Sequence, residues 1–112
     1  MQSTLGIAGG TIAFQDSGEG PVVLLLHGFP GTSRLWTEVT PSLVELGFRA
    51  IAPDLVGYGR STIQPGIPID MGSQARWMLQ LLDSLSVENV IVIAHDVGSA
   101  ADARDAVGIR GR

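Results

Sequence analysis

The sequence predicts an α/β fold, a mostly parallel sheet with helices on both faces. Two observations carry that expectation. VVLLLH (22 to 27) is a continuous apolar run, the pattern of a strand buried on both faces, and FRAIAP (48 to 53) and NVIVIAH (89 to 95) read as further strands. Segments with helical spacing separate the three, so strands and helices alternate, as in parallel sheets covered on both sides.

The elements follow in order. TLGIA and TIAFQD flank Gly9-Gly10, a pair able to supply the positive φ angles of a tight hairpin. DSGEGP (16 to 21) is a loop. After the first buried strand, GFPGTS breaks the pattern, and Thr32 or Ser33 can cap a helix carrying Leu35, Trp36 and Val39. Pro41 must kink that helix or start a second one with Leu43, Val44 and Leu46, which Gly47 ends. The strand FRAIAP leads into the loop DLVGYGRSTIQPGIPI. Asp70 can cap the next helix, in which Met71, Ala75, Met78, Leu79, Leu82 and Leu85 keep helical spacing. The strand NVIVIAH comes next, and a helix is expected after Gly98.

Bulk properties narrow the function. At 112 residues, 45% hydrophobic and 16% charged, the chain suits one globular domain with a modest core. A net charge of −4 offers no basic patch, so nucleic acid is not an expected partner. The absence of Cys removes disulfides, thiolate metal sites and a Cys nucleophile together. MQSTLGIAGGTIAFQD lacks the basic and apolar regions of a signal peptide. The longest apolar run, Val22 to Leu26, falls far short of the ~20 residues that span a bilayer. A cytoplasmic protein without membrane association is the expectation.

In sheets of this type the chemistry sits at the carboxyl ends of the strands. Three polar clusters fall there: His27-Gly28-Phe29-Pro30, Asp54 with Gly57-Tyr58-Gly59, and His95-Asp96-Val97-Gly98. Ala94-His95-Asp96-Val97-Gly98-Ser99 fits a nucleophile elbow, a sharp strand-to-helix turn that needs small residues on either side of the nucleophile. Ala94 and Gly98 meet that need. An aspartate at the centre would attack an sp³ carbon and form an alkyl ester with the protein. The other reading is that Asp96 caps the following helix.

In a hydrolase of this architecture, the loop after the first buried strand and the residue after the nucleophile donate the oxyanion-hole N–H groups. Phe29 and Val97 are the candidate donors here, through their backbone. Gly28 permits close approach and Pro30 fixes the loop. His27 reads as structural, an imidazole hydrogen-bonding the turn, and His95 as packing. Asp54 reads as the organiser of its own loop. Gly57-Tyr58-Gly59-Arg60-Ser61-Thr62 begins like a dinucleotide fingerprint, but Thr62 replaces the third Gly, and Pro65 and Pro68 forbid the helix. His27 and His95 make no zinc motif, so no metal is expected.

Together, HGFPGTSRLW, IAPDLVGYGRS and AHDVGSA resemble the α/β-hydrolase superfamily, over roughly residues 10 to 101. The Asp at the elbow resembles its epoxide hydrolase and haloalkane dehalogenase branch. Dehalogenases typically hold the departing halide with a Trp after the nucleophile and an Asn in the HG loop, where this chain has Val97 and Phe29. HGFP is similar to epoxide hydrolases, although Val97 departs from their usual Trp as well. The resemblance therefore implies an epoxide hydrolase-like enzyme acting on a small-molecule epoxide, with an alkyl halide as the alternative substrate and no cofactor.

It also implies a later His, its acid partner and a cap carrying tyrosines. No His follows His95, and the only Tyr is Tyr58. A triad with one member cannot turn over. The expectation is therefore an N-terminal part of a hydrolase domain (1–101) with a divergent tail (102–112), truncated or frame-shifted, and inactive alone. A non-catalytic remnant or interaction module is the rival. With later strands and cap absent, strand 89–95 would be an open, nearly uncharged edge prone to self-association.

Overall fold

The computed structural model describes residues 2–28, 32–96 and 104–110. Its elements are β1 (Gln2–Ile7), β2 (Gly10–Ser17), β3 (Val22–Leu26), a 3₁₀ turn (Ser33–Trp36), α1 (Val39–Glu45), β4 (Arg49–Pro53), β5 (Thr62–Ile63), α2 (Met71–Ser84), β6 (Val90–Asp96) and β7 (Arg104–Arg110). One sheet holds all the strands in the order β1-β2-β4-β3-β6-β7, with β5 on β2.

The sheet is mixed, and its parallel part is the centre. β3 runs parallel to β4, with Leu24 opposite Ile51, and parallel to β6, with Leu24 opposite Val92 and Leu26 opposite Ala94. The flanking ladders β1–β2, β2–β4 and β6–β7 are antiparallel.

Period-two alternation sends neighbouring residues of these strands to opposite faces. Leu24, Ile51 and Val90 pack with Met78, Leu81 and Leu82 of α2. Val23, Leu25, Ala50 and Ala52 pack with Trp36, and Leu43, Phe48, Ile91 and Ile93 close that second cluster. The small side chains of Ala50 and Ala52 lie where the bulky indole needs room. Both faces of the sheet are thus covered, as a central parallel sheet requires.

The connections obey local rules. Thr32 caps the 3₁₀ turn, its hydroxyl accepting from the Arg34 N–H at 3.3 Å. Pro41 begins no new break, because it sits in the first turn of α1, where its missing N–H costs nothing. Ser86 carries a φ of 59°, the one non-glycine in the left-handed region among the described residues. It follows α2 in a Schellman closure, with Val87 N–H donating to the Leu82 carbonyl at 2.9 Å and Ser86 N–H to that of Asp83 at 3.1 Å. The closure carries Val87 into the core.

Asp70 caps α2, its Oδ1 accepting from the Ser73 N–H at 2.8 Å. That bond holds the Asp70 carboxyl below its ordinary value, aided by the Ser73 hydroxyl and Arg76 and opposed by burial. A lowered carboxyl stabilises the fold above its unfolded value, and the contribution is lost as pH falls through the folded one. The helical signal of α2 is therefore expected to hold from neutral pH to about pH 4 and to decline below. Asp70→Asn should lessen that acid-dependent part of the loss in circular dichroism.

Several expectations need correction. Of Gly9 and Gly10, only Gly9 takes a positive φ, 83°. Gly10 is required for close approach, since a Cβ there would run into the Thr62 backbone of β5. β2 extends through Ser17, shortening the expected loop, and β5 lies inside the stretch read as loop after Asp54. On α2, Met71 is 85% exposed and Leu79 38% exposed, while Ser73, Gln74 and Leu81 turn inward.

The largest correction is at the end of the chain. The helix expected after Gly98 is not what residues 104–110 form. They make β7, paired with every residue of β6 from Val90 opposite Arg110 to Asp96 opposite Arg104. Val107 and Ile109 are β-branched at a spacing of two, with helix-breaking Gly108 between them, and β6 supplies an edge to pair with. Strand 89–95 is consequently not an open edge: β6 lies between β3 and β7.

Candidate active site

Because β3, β4 and β6 are parallel neighbours, their carboxyl ends come to one edge of the sheet. The three polar clusters stand at those ends. Leu26 of β3 pairs with Ala94 of β6, so Asp96 at the end of β6 and Gly28 in the loop after β3 each lie two residues past that pair. Phe29, Pro30, Val97 and Gly98, expected to supply and shape the oxyanion hole, lie outside the described residues. Ala94 is half-buried between β3 and β7.

His27 is 3% exposed and both its ring nitrogens are engaged. The Leu55 N–H donates to Nε2 at 2.9 Å, so Nε2 is an acceptor. Nδ1 then carries the proton and donates to the Gly28 carbonyl at 3.0 Å. The ring meets Tyr58 edge to face, with centroids 6.1 Å apart. With Nε2 already accepting from the backbone, His27 ties the end of β3 to the end of β4 and has no lone pair left for a reacting water.

Asp54, 5% exposed, is the hub of the second cluster. Its Oδ1 accepts from the Ser33 N–H at 2.6 Å and its Oδ2 from the Arg60 N–H at 3.0 Å. One carboxylate thus joins the far side of the HG loop to the turn at 57–60. Its carbonyl accepts from the Ser61 hydroxyl at 2.6 Å, and that hydroxyl oxygen accepts from the Ala13 N–H at 2.8 Å. Gly59, with φ of 54°, passes so close that a Cβ would lie 2.6 Å from the Asp54 carboxyl carbon. This is why GYG stands here: the turn wraps the carboxylate and leaves no room for a side chain.

Gln74 of α2 is a buried contributor that sequence reasoning missed. Its Nε2 donates to the Val56 carbonyl at 2.8 Å, and its Oε1 accepts from the Val56 N–H at 3.0 Å. A polar residue four before Met78 on the inward face was the available signal.

Asp96 is the last residue of β6, opposite Arg104 in the ladder. Its backbone is extended strand here, and residues 97–103, where the turn and helix of an elbow are expected, lie outside the described residues. A groove of about 420 Å³ is lined by Asp16, Gly18, Glu19, Gly20 and Arg49. It lies at the amino end of β4, away from these clusters. Among the described residues no three His, Asp or Glu side chains gather as a metal site, and no helix is long and apolar enough to cross a membrane.

The model of the α/β-hydrolase fold family matches residues 21–101. The chain belongs to the α/β-hydrolase family. Relatives of this α/β hydrolase include a haloalkane dehalogenase of Mesorhizobium japonicum, 37% identical over 100 residues, covering 88% of this chain and 32% of the relative. An epoxide hydrolase of Caballeronia sordidicola is 36% identical over 85 residues, covering 75% of this chain and 26% of the relative. Among solved structures, an epoxide hydrolase from an endophytic Streptomyces superposes with a TM-score of 0.79 at 33% identity, covering 87% of this chain and 30% of that one. This α/β hydrolase therefore spans about a third or less of the length of these relatives.

Proposed function

We propose that this α/β hydrolase carries the nucleophile of an epoxide hydrolase-like reaction, and that Asp96 is that nucleophile. The observation that carries the reading is an aspartate at the carboxyl end of β6, beside the His27-Gly28 end of β3. An Asp96 carboxylate oxygen attacks one epoxide carbon, and the ring C–O bond breaks. The released oxygen takes a proton from water, which leaves as hydroxide, and a hydroxyalkyl ester remains on Asp96. The Phe29 and Val97 backbone N–H groups would stabilise the charge that develops on the ester carbonyl when water attacks it. His27 and Gly28, with Pro30, Ala94 and Gly98, support those loops.

Hydrolysis of the ester needs a base. His27 has both nitrogens engaged, and no His follows His95. We therefore assign to these residues the ester-forming step alone. A dehalogenase-like first step, in which Asp96 displaces halide, is the second reading, favoured by the Mesorhizobium relative. Val97 and Phe29 carry no side-chain N–H for a halide, which places it second.

The test is mass spectrometry of the chain after incubation with a small terminal epoxide such as styrene oxide. One added epoxide mass per chain, mapped to Asp96 and absent from Asp96→Ala, is expected. No adduct, or one on Asp54, Asp16 or another carboxylate, overturns the reading.

A further inference from the structure

We propose that β7 is a detachable cover over the edge of β6, and that a second copy of this chain joins through β6 when the cover is off. The argument begins with the unequal chemistry of the two strands. β6 opens with Val90, Ile91, Val92 and Ile93, four β-branched residues in succession, and no acidic or basic side chain other than its terminal His95-Asp96. Such a strand pairs strongly with whatever lies beside it. β7 carries Asp105 and Gly108, residue types that strands disfavour.

Attachment is equally one-sided. The substantial contacts of β7 are all with β6, whereas β6 is also held by β3 on its other side. Losing β7 would therefore open one ladder and leave the two packed faces of the sheet in place. The edge then exposed is self-complementary. Two copies of VIVIA laid antiparallel put β-branched residues opposite one another across a two-fold axis, an isologous contact that closes as a dimer.

The experiment keeps the full chain and disables the cover with Val107→Pro/Gly108→Pro. In an antiparallel ladder alternate N–H groups face the partner, so two consecutive prolines remove one ladder bond whichever set β7 uses. Size-exclusion chromatography with light scattering is expected to give a monomer for the unaltered chain and about twice that mass for the variant. Far-UV circular dichroism should show that the variant keeps its helices. Hydrogen exchange gives an independent readout, with the amides facing β7 in residues 90–96 protected in the unaltered chain as well as those facing β3. A variant that melts cooperatively as a monomer overturns the proposal, as does an unaltered chain that associates to the same degree. Fast exchange of those amides in the unaltered chain also overturns it. None of these readouts involves alkylation of Asp96, so the two proposals stand or fall separately.

Discussion

Asp54→Ala is expected to cost about 2–4 kcal/mol of stability, read as a loss of urea midpoint with little change in slope. Two backbone donors, Ser33 N–H and Arg60 N–H, lose a charged acceptor at once, and each such bond is worth about 1.5–3 kcal/mol. Water can reach the two amides in part, since both bonds are only part-buried, which holds the total below the simple sum. In a domain of this size the melting temperature should fall by roughly 10 °C or more. Asp54→Asn should do little better. An amide offers one acceptor oxygen, and its NH₂ would face an N–H donor on the other side. A chain in which Asn restores full stability would show that Asp54 acts by shape and not by accepting two bonds.

Leu81→Ala should cost about 2–5 kcal/mol, the range for emptying a leucine site in a packed core. Leu81 is fully buried beneath α2, against the face of the sheet that carries Leu24 and Ile51. Met71→Ala, on the same helix, should change stability by less than about 0.5 kcal/mol, because Met71 is 85% exposed. Comparing the two midpoints checks the orientation of α2 directly.

That pair of residues also marks what the sequence could reveal. The 3.6-residue period made α2 legible, and Asp70 marked its start. The inward stripe was rotated in the reading because Ser73 and Gln74 are polar, yet both are buried, Gln74 bonding the Val56 backbone and Ser73 accepting from Arg76. Apolar runs gave the central strands, since a strand buried on both faces needs no alternation to be recognised. β5 was hidden because two residues carry no period. β7 was hidden because Arg104–Arg110 has weak strand character of its own and is fixed by the edge it meets. The clustering at the carboxyl ends of β3, β4 and β6 was readable from alternation alone. The bonds from Asp54 to Ser33, 21 residues away, and from His27 to Leu55, 28 residues away, were not. Nothing in a local pattern names a partner so distant.

The position of β3 has a consequence for how the chain is made. Its two neighbours are β4, which is complete at Pro53, and β6, which pairs only once residues 90–94 exist. Synthesis runs at about 5–20 residues per second, so the second edge of the most apolar strand waits roughly 2–8 s for its partner after the first is available. During that interval VVLLL lies at the margin of a half-built sheet, where a trapping chaperone or a neighbouring nascent chain would find it. Slowing translation between codons 54 and 89 should therefore lower the soluble yield, and adding urea-free refolded protein would show no such dependence, because there all strands are present from the start.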